Sequence, residues 1–138
     1  MKKQLALLIV SGVLANAGGF NPSMQGYIDS LKVEAKKSNN SFADFNAKRG
    51  ELIFTSKHIG KRGREISCAS CHGANLSLSS QNAFTNKSIE PLSPRTNPKR
   101  LTNVQDVQKW LKRNFNDVYK REGTPQEKGD VLYYIKSK

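Results

Sequence analysis

Two cysteines and a histidine within five residues are the most reactive group of side chains in this sequence. Cys68, Cys71 and His72 stand in the order Cys-x-x-Cys-His. This spacing is typical of covalent haem c attachment, in which each cysteine sulfur is bonded to one haem vinyl group and the histidine binds the iron. The motif therefore predicts one haem c, held through Cys68 and Cys71, with His72 as an axial ligand.

A Cys-x-x-Cys pair also occurs in other sites, which have further requirements. A thioredoxin-like redox pair needs a βαβ frame, and the sequence shows none. A zinc site needs four nitrogen or sulfur ligands, but His58 is the only other histidine or cysteine in the chain. A structural disulfide would use both cysteines and leave the histidine unexplained. Haem attachment is the interpretation that uses all three residues.

The first seventeen residues have the pattern of a secretory signal peptide. Met1-Lys2-Lys3 is followed by an apolar run from residue 5 to residue 14 and by Ala15-Asn16-Ala17. A short apolar run with an A-x-A site is typical of a cleaved signal rather than a membrane span. We therefore expect a signal peptide over 1–17, a single monohaem cytochrome c domain over 18–138, and a periplasmic location.

The chain is strongly basic. Without Lys2 and Lys3 it retains 21 basic and 11 acidic residues, a net charge of +10. Such a charge favours association with acidic surfaces. We expect an acidic redox partner, with contact to an anionic membrane surface as a further option. Nucleic acid is not an expected partner for an exported protein.

Helical periodicity is the main secondary-structure signal, and no segment alternates with a period of two. Asn21-Pro22 predicts the start of a first helix, Ser41 a second, Thr102 or Asn103 a third, and Thr124-Pro125 a last one. The stretch from Asn75 to Pro98 predicts a long loop. The fold class expected is all-α. The apolar positions are Met24, Tyr27, Ile28, Leu31 and Ala35; then Phe42, Phe45, Leu52 and Phe54; then Val104, Val107, Trp110 and Leu111; and finally Val131, Leu132 and Ile135.

The second axial ligand of the haem iron is not obvious from the sequence. Electron-transfer cytochromes c usually place a methionine or a histidine opposite the proximal histidine. The chain has neither after His72, and upstream it offers Met24 and His58. Met24 belongs to the apolar face of the first helix, and His58 lies among basic residues typical of a solvated loop. We expect neither to bind the iron.

Asn114 has an unusual position in the third helix. At about 100° per residue it lies on the same face as Val107 and Leu111, whereas Asn116 points nearly the opposite way. An amide in an apolar stripe needs a partner or costs roughly 1–3 kcal/mol. Geometry leaves two alternatives, a functional Asn114 inside the helix or an Asn114 that caps a helix ending near Arg113.

Further stretches of the chain resemble sphaeroides haem protein, a family of oxygen-binding cytochromes c. The resemblance covers most of residues 18–138, and Trp-Leu-x-Arg-Asn-x-Asn at residues 110–116 is its most distinctive part. The matching residues are Arg49-Gly50, Leu52, Phe54, Ser67-Cys68, Cys71 to Ala74, Ile89, Pro91-Leu92, Pro94, Pro98, Arg100, Lys109 to Leu111, Arg113-Asn114, Asn116, Thr124-Pro125 and Glu127-Lys128.

The resemblance implies a fold and a mechanism. It implies a class I cytochrome c-like fold wrapped around one covalently bound haem. It further implies that Asn114 is the sixth ligand of the ferric haem and leaves on reduction, so that a diatomic gas (O₂, NO or CO) binds. The implied electron donors are a dihaem cytochrome c and a membrane cytochrome b. Some family members carry a disulfide beside the asparagine; here Phe115 and Gly123 take the two positions, so that bridge cannot form.

Three functional hypotheses stay open at this point. The first is a redox protein that binds a diatomic gas, with Trp110 packed against the haem. The second is a six-coordinate electron carrier that uses His58 or Met24. The third is an enzyme, either a small oxidase or a nitric oxide dioxygenase.

Overall fold

Five α-helices account for about half of residues 19–138, the part of the chain that our computed structural model describes. They are α1 (Pro22–Ser38), α2 (Ala47–Thr55), α3 (Cys68–His72), α4 (Val104–Tyr119) and α5 (Pro125–Lys136). The predicted signal peptide over 1–17 lies outside the described residues. Within 19–138, no helix has the length and apolar character needed to cross a membrane.

Helices α1, α4 and α5 begin where the local capping signals predict. The Asn21 side chain accepts a hydrogen bond from the Met24 amide at 2.8 Å, and the Asn103 side chain accepts one from the Asp106 amide at 3.0 Å. Thr124 and Glu127 form a capping box at the start of α5. These side chains satisfy N–H groups that the first turn of a helix leaves unpaired. The three predicted starts are confirmed.

The predicted start of α2 at Ser41 is wrong. The helix begins at Ala47, and Asn46 caps it by accepting the Arg49 amide at 2.9 Å. Phe42 and Phe45 are both buried, but they precede the helix in an irregular segment. The Phe45 ring occupies the place where a Cβ on Gly129 would lie, so tertiary packing against α5 fixes this segment.

Two short antiparallel strand pairs interrupt the helical fold. In the first, β1 (His58–Ile59) pairs with β2 (Glu65–Ile66) around a 3₁₀ turn, Lys61–Gly63. In the second, β3 (Ser80–Gln81) pairs with β4 (Ser88–Ile89). Each described strand has only two residues, so the fold remains all-α, as predicted.

The closest helix contact joins α2 to α5. Gly50 lies directly on the backbone of Asp130 and on Tyr134, where any Cβ would overlap. Beside it the Arg49 guanidinium donates to both carboxylate oxygens of Asp130, at 2.8 and 3.0 Å. Asp130 is 1% exposed, and it also accepts the Asn46 amide at 2.7 Å. This bidentate pair fixes the N-terminal end of α2 against α5.

Candidate haem site

One large cavity, with a volume of about 700 Å³, is lined by residues of α2, α3, α4 and α5 and by the loop that follows α3. Cys68, Cys71 and His72 lie in its wall. The cavity falls in the size range of cofactor sites. Every one of these helices contributes apolar side chains to the wall, among them Phe54, Cys68, Val107, Leu111, Phe115, Val131, Leu132 and Ile135.

The Cys-x-x-Cys-His motif forms α3 itself, which the sequence analysis did not predict. Ser67 and Ser70 make a reciprocal capping box at its start, with distances of 3.2 and 2.9 Å. Gly73, at φ +77°, ends the helix in a conformation that favours glycine. Residues three and four apart share one helix face. The helical turn therefore presents Cys68, Cys71 and His72 on the same side.

His72 is held as a neutral imidazole. Burial, reinforced by the nearby Arg100 charge, lowers the pKa of His72 to about 4. Its ring packs against Phe54 at a centroid distance of 5.9 Å. The buried Nδ1 atom has no hydrogen-bond partner among the described residues. The neutral form is the one that binds a metal, so His72 suits an axial ligand.

The loop after α3 contributes several residues to the cavity lining, among them Phe84 and Arg100. Because the loop has no helical or strand periodicity, the sequence did not predict that these two side chains reach the cavity. Arg100 donates to the backbone carbonyls of Pro91 and Glu90, each at 3.0 Å, and this fixes its guanidinium at the cavity edge. The Pro91 carbonyl also accepts the Asn97 amide. The length of this proline-containing loop indicated that the loop has a functional role. It did not indicate which of its residues line the cavity.

Asn114 lines the same cavity as His72. Helix α4 continues to Tyr119, so Asn114 lies inside the helix and is not a C-terminal cap. No hydrogen bond joins its amide to another described residue. Asn116 instead donates to the Lys112 carbonyl at 2.9 Å, on another side of the helix. The structure thus excludes the alternative in which Asn114 caps a helix that ends near Arg113.

Met24 and His58 lie elsewhere. Met24 is completely buried on the core face of α1. The His58 ring stacks on the Tyr119 ring, with 4.2 Å between the ring centroids. Neither residue is part of the cavity lining. The structure therefore brings Asn114, and not Met24 or His58, to the space beside His72.

Trp110 lines the cavity and is 46% exposed. The Arg113 guanidinium lies 5.0 Å from its ring and the Lys109 ammonium 5.6 Å away. Arg113 also lines the cavity. Trp110 is consequently a residue of the cavity rim, surrounded by positive charge.

Comparisons with known proteins agree with this geometry. Residues 40–135 match a family model described as a domain of unknown function, DUF1924. The chain is 37% identical to the cytochrome c-type protein SHP of Cereibacter sphaeroides over 128 residues, which cover 93% of this chain and 95% of that protein. The chain belongs to the sphaeroides haem protein family. It is also 35% identical over 86 residues to cytochrome c'' of Methylophilus methylotrophus, covering 62% of this chain and 60% of that protein.

Solved structures show the same fold. Oxidized SHP, described as an oxygen-binding cytochrome c, matches with a TM-score of 0.72 at 35% identity and covers 83% of this chain and 96% of that one. The solution structure of Methylophilus methylotrophus cytochrome c'' matches with a TM-score of 0.73 at 28% identity and covers 84% and 94%. These matches confirm the class I cytochrome c-like fold. The chain described here, as a member of the sphaeroides haem protein family, is a c-type haem protein.

The described residues fit a haem c. Cys68 and Cys71 form no disulfide, so both sulfurs can be bonded to a haem. The buried Nδ1 of His72 has no hydrogen-bond partner among the described residues, and buried polar groups without partners call for a ligand or an ordered water. The half-buried Asn114 side chain lines the same cavity.

Proposed function

We propose that this protein is a periplasmic c-type cytochrome that accepts an electron and then binds a diatomic gas, O₂, NO or CO. Cys68 and Cys71 hold the haem, His72 is one axial ligand, and Asn114 is the other in the ferric state. When bound, the haem supplies an iron that changes between ferric and ferrous and binds a diatomic gas when ferrous. The observation that carries the proposal is that Asn114 and His72 line one cavity while Met24 and His58 do not.

The chemistry of the Asn114 side chain suits a ligand that is released on reduction. Its amide oxygen is a neutral, hard and weak donor, which matches ferric iron better than the softer ferrous iron. Because no described residue holds the amide by a hydrogen bond, the side chain can turn away. Its NH₂ group then remains near the cavity as a hydrogen-bond donor to a bound gas.

The relatives support the same mechanism. SHP is described as an oxygen-binding cytochrome c. The cytochrome c'' structure is described as giving insight into the structural basis of haem-ligand detachment. On the same resemblance, the electron donor is a dihaem cytochrome c or a membrane cytochrome b, and the predicted signal peptide over 1–17 directs the chain to the periplasm.

The test is a set of optical spectra of the haem-loaded protein: ferric, ferrous, and ferrous with CO. The unmodified protein should be low-spin when ferric, become high-spin on reduction, and bind CO. Asn114→Ala should be high-spin already in the ferric state, with intact thioether attachment shown by mass spectrometry. Asn116→Ala is the matched control, because its amide bonds Lys112 outside the cavity, and it should behave like the unmodified protein.

Two results would count against this function. A ferric spectrum unchanged by Asn114→Ala would remove the ligand assignment. A ferrous protein that stays low-spin and does not take up CO would indicate an ordinary electron carrier.

A further inference from the structure

The β1–β2 pair and its turn form a strongly basic surface next to the haem cavity. We call residues 57–66 the basic hairpin. Its exposed cationic side chains are Lys57, Lys61, Arg62 and Arg64, and its one carboxylate is Glu65, which gives a net charge of +3. Lys57 and Lys61 have acidic partners, Glu65 and Asp117. No described carboxylate forms an ion pair with Arg62 or Arg64.

The two unpaired arginines of the basic hairpin lie over a wall of the haem cavity. The Arg62 and Arg64 guanidinium groups are 5.4 and 5.5 Å from the centre of the Phe84 ring. Phe84 itself lines the cavity, as does the exposed Lys87 three residues later. Phe84 is therefore part of both the positive surface and the cavity wall.

A hydrogen-bonded path connects the same surface to one haem-binding cysteine. Arg64 donates from Nη1 to the Ala83 carbonyl at 2.8 Å, and the Ala83 amide donates to the Cys71 sulfur at 3.3 Å. The sulfur of Cys71 is the predicted attachment point of the haem edge. The basic hairpin therefore lies on the Cys71 side of the cofactor, where an electron entering at this surface has a short path.

The basic hairpin is fixed in place before any partner arrives. Gly60 lies against the Asp117 carbonyl so closely that a Cβ there would overlap it. Lys61 forms an ion pair with Asp117 at 2.7 Å. A charged surface that is already ordered loses less conformational entropy on binding.

One apolar residue completes the surface. Ile59 is 58% exposed on β1, between the basic side chains of the hairpin. Protein interfaces combine apolar contact at the centre with arginine, which is enriched in them, and a charged rim. Anionic lipid headgroups would also attract the positive charge of the basic hairpin. An exposed isoleucine and two arginines stacked on an aromatic ring, however, are more typical of a surface that binds a protein.

We propose that the basic hairpin, with Phe84 and Lys87, is the docking surface for an electron-donor protein that carries an acidic patch around its own redox cofactor. The inference rests on the proposed function only in that the protein accepts electrons. One electron leaves the reduced cofactor of the donor, which becomes oxidised by one electron, and reduces the ferric haem to ferrous. Neither protein gains or loses an atom in this step.

The test uses flavodoxin hydroquinone, an acidic protein that gives up one electron to become the semiquinone. Stopped-flow mixing at low ionic strength measures its second-order rate of reduction of the haem-loaded protein. The double variant Arg62→Gln/Arg64→Gln should react on the order of 10-fold more slowly, because electrostatic steering is reduced. Added salt should shrink this difference.

The matched control removes two positive charges from α1, which contributes no residue to the lining of the haem cavity. Lys36→Gln/Lys37→Gln, in the last turn of α1, should keep at least most of the unmodified rate. Dithionite should reduce all three proteins equally, and their melting temperatures should agree, which shows that the haem and the fold are intact. Equal slowing in both double variants would mean that only net charge matters and would overturn the proposal.

Two further measurements separate this proposal from its alternatives. Loss of binding to phosphatidylglycerol vesicles in the hairpin variant, with unchanged flavodoxin kinetics, would assign the surface to a membrane and overturn the proposal. CO uptake is recorded in parallel. A slowed hairpin variant in a protein that ignores CO would support the docking surface while contradicting the gas-binding function.

Discussion

Phe115 packs directly on Gly123, and this contact joins α4 to the turn before α5. A Cβ on Gly123 would lie 2.7 to 2.8 Å from three ring carbons of Phe115. The ring also packs against Tyr119 at 5.4 Å. The residue immediately after Asn114 is therefore anchored by close packing.

The first prediction concerns the close packing of Phe115 against Gly123. Gly123→Ala should lower the free energy of unfolding by about 1–3 kcal/mol, because the added methyl group overlaps the Phe115 ring. Gly26→Ala is the control, since nothing lies within 4 Å of its Cβ position in the middle of α1. That change should raise stability by up to about 1 kcal/mol through helix propensity. Urea unfolding of the haem-loaded proteins measures both.

The double variant Phe115→Leu/Gly123→Ala checks the cause. If overlap with the Phe115 ring causes the destabilisation, the smaller leucine should recover part of the free energy of unfolding lost in Gly123→Ala. The effects of the two substitutions on this free energy should then not be additive. Strictly additive losses would show that Gly123 is needed for some other reason.

The second prediction concerns the ion pair between Arg49 of α2 and the buried Asp130 of α5. Asp130→Ala should lower the free energy of unfolding by about 1–3 kcal/mol, because it leaves the Asn46 backbone N–H without its acceptor, whereas the Arg49 side chain is 44% exposed and can be hydrated. The exposed pair Lys48–Glu51 is the control, and Glu51→Gln should leave the melting temperature nearly unchanged. Equal effects of the two variants would contradict the importance of burial at Asp130.

The third prediction is a pH dependence set by Glu127. Its hydrogen bonds from Arg121, with help from the Thr124 amide, hold the pKa of Glu127 below the ordinary value of 4.5. A carboxylate with a lowered pKa in the folded state stabilises the protein above the unfolded pKa, and this stabilisation is lost as the pH falls through the folded pKa. The melting temperatures of the unmodified protein and Glu127→Gln should therefore differ most near pH 7. The difference should diminish below pH 4.5. A constant difference across this range would mean that the charge of Glu127 does not contribute.

The sequence predicted those elements whose signals are local. Asn21, Asn103 and Thr124 start their helices because each side chain caps the N–H groups of the turn that follows it. Helical periodicity placed Asn114 on the apolar stripe of α4 but left open whether it caps the helix, and the length of α4 in the structure excludes the cap.

Where tertiary contacts decide, local signals were not sufficient. Ser41 is an acceptable cap, yet Phe45 is held against Gly129 and the helix begins only at Ala47. The strands of the basic hairpin are two residues long, too short for an alternating pattern. Phe84 reaches the cavity from an aperiodic loop, so its position depends on contacts with Arg62 and Arg64 that the sequence does not reveal.

The last prediction separates gas binding from simple electron transfer. Met24→Leu and His58→Gln should each leave the ferric, ferrous and CO spectra unchanged, because neither side chain lines the haem cavity. Met24→Leu conserves volume in the core and should cost less than about 1.5 kcal/mol. A ferric or ferrous spectrum altered by either variant, in a protein that still folds and retains its haem, would identify that residue as an axial ligand. Asn114 would then lose this role.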